Sequence, residues 1–253
     1  MLKDSGLIRS LGLAILITVF YTAPSFAVYS NLDNLNLPGY ETTNKINFYM
    51  TQRAVGDISD KPFDNMLGTD QGMVATYGLS FRITDWTDLS IFRSNLNQEF
   101  FIANKIKFFD GFALFWGMTS KTSTLITKDK SNFVAQLILC ETILRDKLAL
   151  TFVPTYSNFQ AASPTFAIGM GGRVTVAERV GYFENIEVLG EYTPAFGGYA
   201  FSNPELAVGV KFKTLSQILT LMVTNALYTF PNGYILGSSD GLFHFGFNLT
   251  CEI

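Results

Sequence analysis

His244 is the only histidine in the chain. A Ser–His–acid hydrolase would have to use it as general base. The string GSSDG at 237–241 fits G-x-S-x-G, but it lies in a connection followed by a strand pattern and not a helix, so it lacks the strand–turn–helix setting of a nucleophile elbow. Alternation around His244 puts it on a polar face near the start of a strand, where inward polar filler is the expected role. Cys140 and Cys251 lie more than a hundred residues apart, each inside a strand-like run. We read both as small buried hydrophobes, with no disulfide. One histidine and scattered carboxylates make no metal-ligand spacing. Neither a metal, a cofactor nor a catalytic residue is expected. The glycine-rich GMGG at 169–172 sits within a strand pattern with no helix after it. It reads as a bend or close approach, not a phosphate loop.

The remaining candidate chemistry is a set of charges placed on one face by period-two alternation. Arg53, Arg82, Glu99, Lys105, Lys107, Arg173, Glu187, Glu191, Glu205 and Lys211 share the parity of Gly, Ser and Thr rather than that of the large apolar residues. Both signs occur. Glu187 and Glu191 fall on the strand next to Lys211, so cross-strand pairs are expected. Such a face makes either a narrow hydrated pore or a salt-bridged plug, and parity alone leaves both open. Lys213 and Glu252, at strand ends, read as rim residues in water.

The elements that carry these residues recur along the chain. Met73, Ala75, Tyr77, Leu79, Phe81 and Ile83 alternate with Thr76, Gly78, Ser80 and Arg82. Leu206, Val208, Val210 and Phe212 alternate in the same way with Glu205, Ala207, Gly209 and Lys211. The pattern predicts about twelve strands (range about 10–14). They fall near 44–54, 72–83, 86–93, 97–109, 112–119, 133–141, 147–157, 165–177, 183–192, 203–213, 216–226 and 241–251. Gaps alternate between long (55–71, 120–132, 158–164, 193–202, 227–240) and short (84–85, 110–111), the short connection near Asn95 excepted. An even number of strands with alternating loop lengths is the pattern of an antiparallel transmembrane β-barrel, with long external loops and short periplasmic turns. Strands of about 9–11 residues suit a tilted crossing. Tyr40, Tyr49, Trp86, Trp116, Tyr156, Tyr192, Tyr199 and Tyr228 cluster toward strand ends, as an interfacial girdle would. The alternative is ordinary core aromatics.

Composition agrees with a membrane setting. Hydrophobic residues make up 48% and charged residues only 15%, against about 25% charged in soluble domains. A net charge of −3 supplies no basic face for nucleic acid. Residues 1–27 read as a signal peptide, removed on export: Lys3 and Arg9, an apolar run from Leu11 to Phe20, then Ser25 and Ala27 as the small residues at −3 and −1 of the cut. Residues 28–43 read as a periplasmic segment and 44–253 as the barrel domain.

Four stretches carry a family resemblance: TQRAVGD (51–57), MLGTDQG (66–72), YGLSFRITD (77–85) and HFGFNL (244–249). Together they resemble a family of bacterial outer-membrane β-barrels known as a domain of unknown function. The resemblance covers roughly 44–253 and implies a barrel in the outer membrane without an established activity. One departure is Gln52, where the family carries His before the arginine.

The expected function is a small passive channel or a structural, partner-binding barrel. Its partners are outer-membrane lipid, the assembly machinery and an unidentified periplasmic or membrane protein. The alternatives are an outer-membrane lipid hydrolase using His244 and a soluble secreted β-sandwich. The C-terminal GLFHFGFNLTCEI reads as an assembly signal through His244, Gly246, Leu249 and Cys251, with Ile253 where a terminal Phe is usual. Deleting residues 243–253 should abolish membrane assembly. Heat-modifiable gel migration of membrane fractions checks this, and a truncated protein that still inserts refutes it.

Overall fold

The computed structural model of the chain describes residues 46–59, 62, 64–121, 132–144, 147–158, 164–197, 203–231, 235–238 and 241–253. The signal-peptide and periplasmic-segment readings, Tyr40 and Tyr199 lie outside these residues. Thirteen antiparallel strands run in chain order. They are β1 Ile46–Ala54, β2 Met73–Thr84, β3 Thr87–Ser94, β4 Glu99–Phe109, β5 Phe112–Lys121, β6 Asn132–Ile143 and β7 Leu148–Ser157. β8 Thr165–Val180, β9 Phe183–Thr193, β10 Ala195–Phe196, β11 Glu205–Lys213, β12 Gln217–Thr224 and β13 His244–Glu252 follow. β10 continues the ladder of β9 on β8 past Pro194, in the same register. The barrel therefore has twelve walls.

Neighbouring strands are sequence neighbours all the way round. The ring closes where β13 meets β1, with Asn47 opposite Glu252 and Arg53 opposite Gly246. Closure overturns the β-sandwich alternative, which needs two open sheets. It has a direct physical cause: hydrocarbon offers no partner to an edge N–H or C=O.

Parity then divides every strand between two environments. Outward positions are apolar and exposed: Tyr77, Ile102, Leu150, Phe166 and Val208 head a wide band of such side chains. Inward positions are small, polar or charged, with the bulky exceptions concentrated at one level. Phe101, Phe115, Ile138, Val153 and Leu189 form a single buried cluster reaching from β4 to β9. Gly78 and Gly117 make room for its rings. A Cβ on Gly78 would lie 2.0 Å from Phe92 Cδ1, and one on Gly117 2.5 Å from the Phe101 ring.

The long connection between β12 and β13 does not stay outside. Ala226, Phe230 and Ile235 belong to the same interior cluster, and Phe230 lies 5.0 Å from Phe101, ring to ring. The described residues of the loop expected at 227–240 do not lie outside the ring, because they are apolar: Phe230, Ile235 and Leu236 are at most 4% exposed. Its root is fastened to the start of β11. Asn225 Oδ1 accepts from Leu206 N–H at 2.8 Å, and Asn225 Nδ2 donates to the Pro204 carbonyl at 2.8 Å. At its other end Ser238 N–H donates to Asn203 O at 2.9 Å.

The girdle expectation needs two corrections. Tyr49 points into the lumen, where its hydroxyl meets Ser80 Oγ at 3.3 Å. Tyr228 packs against the interior cluster. Trp86, on the turn between β2 and β3, together with Tyr156 and Tyr192 near strand ends, is exposed outward, and Trp116 lies mid-strand on the same outward face. Cys251 takes outward parity beside Phe48, so it is not an interior residue. Cys140 faces inward, and Thr151 Oγ1 donates to its sulfur at 3.5 Å.

Two substitutions test this division. Val208→Arg, mid-strand on the outward face, should destabilise the barrel in a bilayer by about 2–4 kcal/mol. Gly78→Val should cost about 1–3 kcal/mol by crowding Phe92. Urea unfolding of the refolded protein in vesicles measures both.

Candidate functional site

The charged residues singled out in the sequence share one interior, and the ladder registers sort them. Asp88 on β3 stands opposite Arg82 on β2 and opposite Lys105 on β4. Lys105 Nζ lies 3.8 Å from Asp88 Oδ2. On β9, Glu187 stands opposite Lys211 of β11. From the other side Arg173 of β8 places one guanidinium nitrogen 3.3 Å from both Glu187 oxygens. Each group is one carboxylate flanked by two cations on three consecutive strands. Five walls lie between β3 and β9 in either direction, so the two groups face each other across the lumen. Both occupy the half of the barrel nearer the short turns.

The other half holds acids. Glu99 begins β4, Glu205 begins β11 and Glu191 lies near the end of β9. All three are at most 4% exposed. Lys107 sits at the short-turn rim, where it pairs with Asp110 at 2.5 Å. Lys213 pairs with Glu184 at 3.7 Å on the same rim. Asp88 was not among the sequence candidates. Its signal was available, because it shares parity with the inward Ser90 on the same strand.

Arg53 is the most buried of the cations, at 1% exposed. Its guanidinium crosses the seam between β1 and β13. One nitrogen donates to Gln52 O at 2.9 Å and to Asn248 Oδ1 at 3.1 Å. The side chain lies flat over Gly246, where an added Cβ would meet Arg53 Cδ at 2.6 Å. Above it three of the family-like stretches converge on one corner. Gly56 N–H donates to Gly68 O at 3.0 Å, and Ile58 N–H to Phe243 O at 2.8 Å. Asn65 Oδ1 accepts from Gly68 N–H at 3.0 Å while its amide donates to Asp57 O at 3.0 Å. Gly68 has φ +81°, and a Cβ there would stand 2.3 Å from Gly56 O. Only glycine suits that position. In this loop the Ser59 hydroxyl and backbone N–H hold the Asp57 carboxyl below the usual carboxylate range.

His244 belongs to the same corner. Its ring is 1% exposed and Nδ1 lies 3.3 Å from Gly56 O. A carbonyl only accepts, so Nδ1 carries the proton. The contact fastens the β1–β2 loop to the first residue of β13. Gly246 shares the inward parity of His244, whereas Leu249 and Cys251 take the outward parity, so the four residues read as an assembly signal divide evenly between the two faces.

Beneath the inserted segment is a cavity of about 120 Å³. Thr229, Phe230 and Pro231 of that segment roof it. Thr229 is tied to the wall by a hydroxyl–hydroxyl bond with Thr76 at 2.5 Å. Arg53, Asp88 and Lys105 reach its polar side. Among the described residues, no three of His, Cys, Asp or Glu converge as metal ligands would.

Among solved structures, the chain is similar to LpxR from Salmonella typhimurium, at 10% identity and a TM-score of 0.43, over 82% of this chain and 100% of that one. It is similar to the NanC porin, at 10% identity and 0.46, over 82% and 98%. It is similar to Omp33 of Acinetobacter baumannii, at 12% identity and 0.45, over 83% and 98%. Scores of this size add nothing to what the strand registers already establish. No curated protein matches the sequence. The family model described as "Membrane bound beta barrel domain" matches residues 30–252. A closed ring, a lipid-like outer face and a match over nearly the whole chain agree, and the chain belongs to this family of membrane-bound β-barrel domains.

Proposed function

We propose that the protein is an outer-membrane barrel, exported through the secretory pathway, whose lumen its own chain closes. It acts as a structural or partner-binding barrel rather than as a standing open channel. The observation that carries this is that residues 225–231 and 235–238 are seated inside the ring. Phe230 and Ile235 join inward side chains of β4 through β9 into one cluster, and both ends of the segment are hydrogen-bonded to residues 203–206. A permeating ion would have to cross that apolar layer without water, at a cost of several kcal/mol or more. The termini and short turns face the periplasm in this reading, as in other barrels of the kind. Outer-membrane lipid surrounds the outward band.

His244 is part of this closure rather than of a hydrolase. Its Nδ1 proton is committed to a backbone carbonyl, and its role is to hold a loop against the last strand. Among the described residues, the hydrogen-bond partner of its ring is the Gly56 carbonyl and not a serine.

Planar-bilayer recording tests the reading. Inserted wild-type protein should be silent. A variant in which residues 227–237 are replaced by a short Gly/Ser linker should give discrete conductance steps. Steps from the wild type, or silence from the inserted variant, would overturn closure by this segment.

A further inference from the structure

The cavity under Phe230 is open to solvent, and its charges are already engaged. Lys105 Nζ lies 3.8 Å from Asp88 Oδ2, and the Arg53 guanidinium donates to Gln52 O and Asn248 Oδ1. Three of its hydroxyls are not engaged. Thr51, Ser90 and Thr220 line the cavity, and their side chains have no hydrogen-bond partner among the described residues. Ser90 and Thr220 are only 8% and 4% exposed, so what their oxygens meet is the cavity.

Strand register sets these groups in a row. Thr220 of β12 stands opposite Asn248 of β13, Asn248 opposite Thr51 of β1, and Thr51 opposite Thr76 of β2. Hydroxyl and amide side chains thus cross four neighbouring strands, about 4.8 Å from one to the next. Hydroxyls two carbons apart on a six-membered ring span a similar distance. The rest of the lining is aromatic: Phe92, Phe101 and Phe115 on β3 to β5, with Phe230 in the roof. Phe92 is the half-buried ring of the four.

A hydroxyl both donates and accepts, so such a row suits a guest that does the same along one edge. The ring faces favour C–H groups instead. Water satisfies the row but leaves the rings wet. A hydrocarbon covers the rings but strips the hydroxyls of their hydrogen bonds. We propose that this cavity binds a neutral monosaccharide ring. Its hydroxyls exchange hydrogen bonds with Thr51, Ser90 and Thr220, and the C–H groups of one face lie on Phe92. The volume of about 120 Å³ suits one six-membered ring, since an engineered cavity of about 150 Å³ takes benzene. The open side leaves room for the ring substituents. The proposal rests on the closure reading, because Thr229, Phe230 and Pro231 form the roof.

Saturation-transfer NMR on the refolded full chain tests it, in amine-oxide micelles, whose detergent carries no sugar. The probes are the methyl β-pyranosides of glucose, galactose and mannose, with glycerol and cyclohexanol as controls. The expected result is saturable transfer to the ring C–H protons of at least one pyranoside, and none to either control. Thr51→Val and Thr220→Val keep the side-chain shape and remove a hydroxyl. Each should weaken binding roughly two- to tenfold. Ser90→Leu fills the cavity and should abolish binding. Heat-modifiable gel migration checks that each variant is folded. Transfer to glycerol or cyclohexanol equal to that of the pyranosides overturns the site. So does pyranoside binding unchanged in both threonine variants and in Ser90→Leu. A wild type that is silent in bilayers yet binds none of the three pyranosides defeats the site and leaves closure standing. A wild type that conducts defeats closure, and the roofed site with it.

Discussion

A backbone N–H in hydrocarbon has no water to turn to, and each one left unpaired costs several kcal/mol. The rest of this molecule follows from that demand. The sheet has to become a ring, so β13 must lie against β1 along most of its length. A ring has an inside and an outside, so alternate residues of every strand meet different surroundings. Lipid selects Leu, Val, Ile and aromatic residues on the outward positions. The inside must then be filled or wetted, and the sequence mostly fills it. Glycines at positions 78 and 117 admit large rings from neighbouring strands, and the β12–β13 connection supplies the remaining apolar mass.

The interior charges obey a second economy. A carboxylate taken out of water is tolerated only where opposite charge or hydrogen bonds replace the lost hydration. Asp88 and Glu187 each stand between cations on the strands to either side. The cross-strand ladder fixes these neighbours, so register and charge pairing enforce one another. Slipping a strand by one residue would turn a lysine into lipid and break the group at once. Such pairs add little net stability, but they punish the wrong register.

Much of this was legible in the chain. Alternation marks the barrel strands to within a few residues, and parity puts Arg53, Arg82, Glu99, Arg173, Glu187, Glu191, Glu205 and Lys211 on the face that turns inward. It works because a lipid-facing strand has no freedom to mix its faces. What alternation could not show lies where the chain leaves the ladder. Residues 227–240 carry Pro, Gly and Ser and so resemble a surface loop, although Phe230, Ile235 and Leu236 betray an apolar destination. Tyr49 and Tyr228 looked like girdle residues by position along the chain, but parity in one case and the inserted segment in the other take them inside. The corner joining Gly56, Gly68 and His244 depends on contacts between residues far apart in sequence, so its pieces stood in the sequence as separate motifs.

The position of the inserted segment in the chain has a mechanical consequence. It is a bight and not a free end: β12 holds one side of it and β13 the other, and both strands are sewn into the wall. Pulling on either terminus therefore cannot draw it out. It can leave only as a doubled strand through the rim from which it entered. The last hairpin carries the stopper as well as the seam, so a ring that zips shut at β13 has already loaded its own contents.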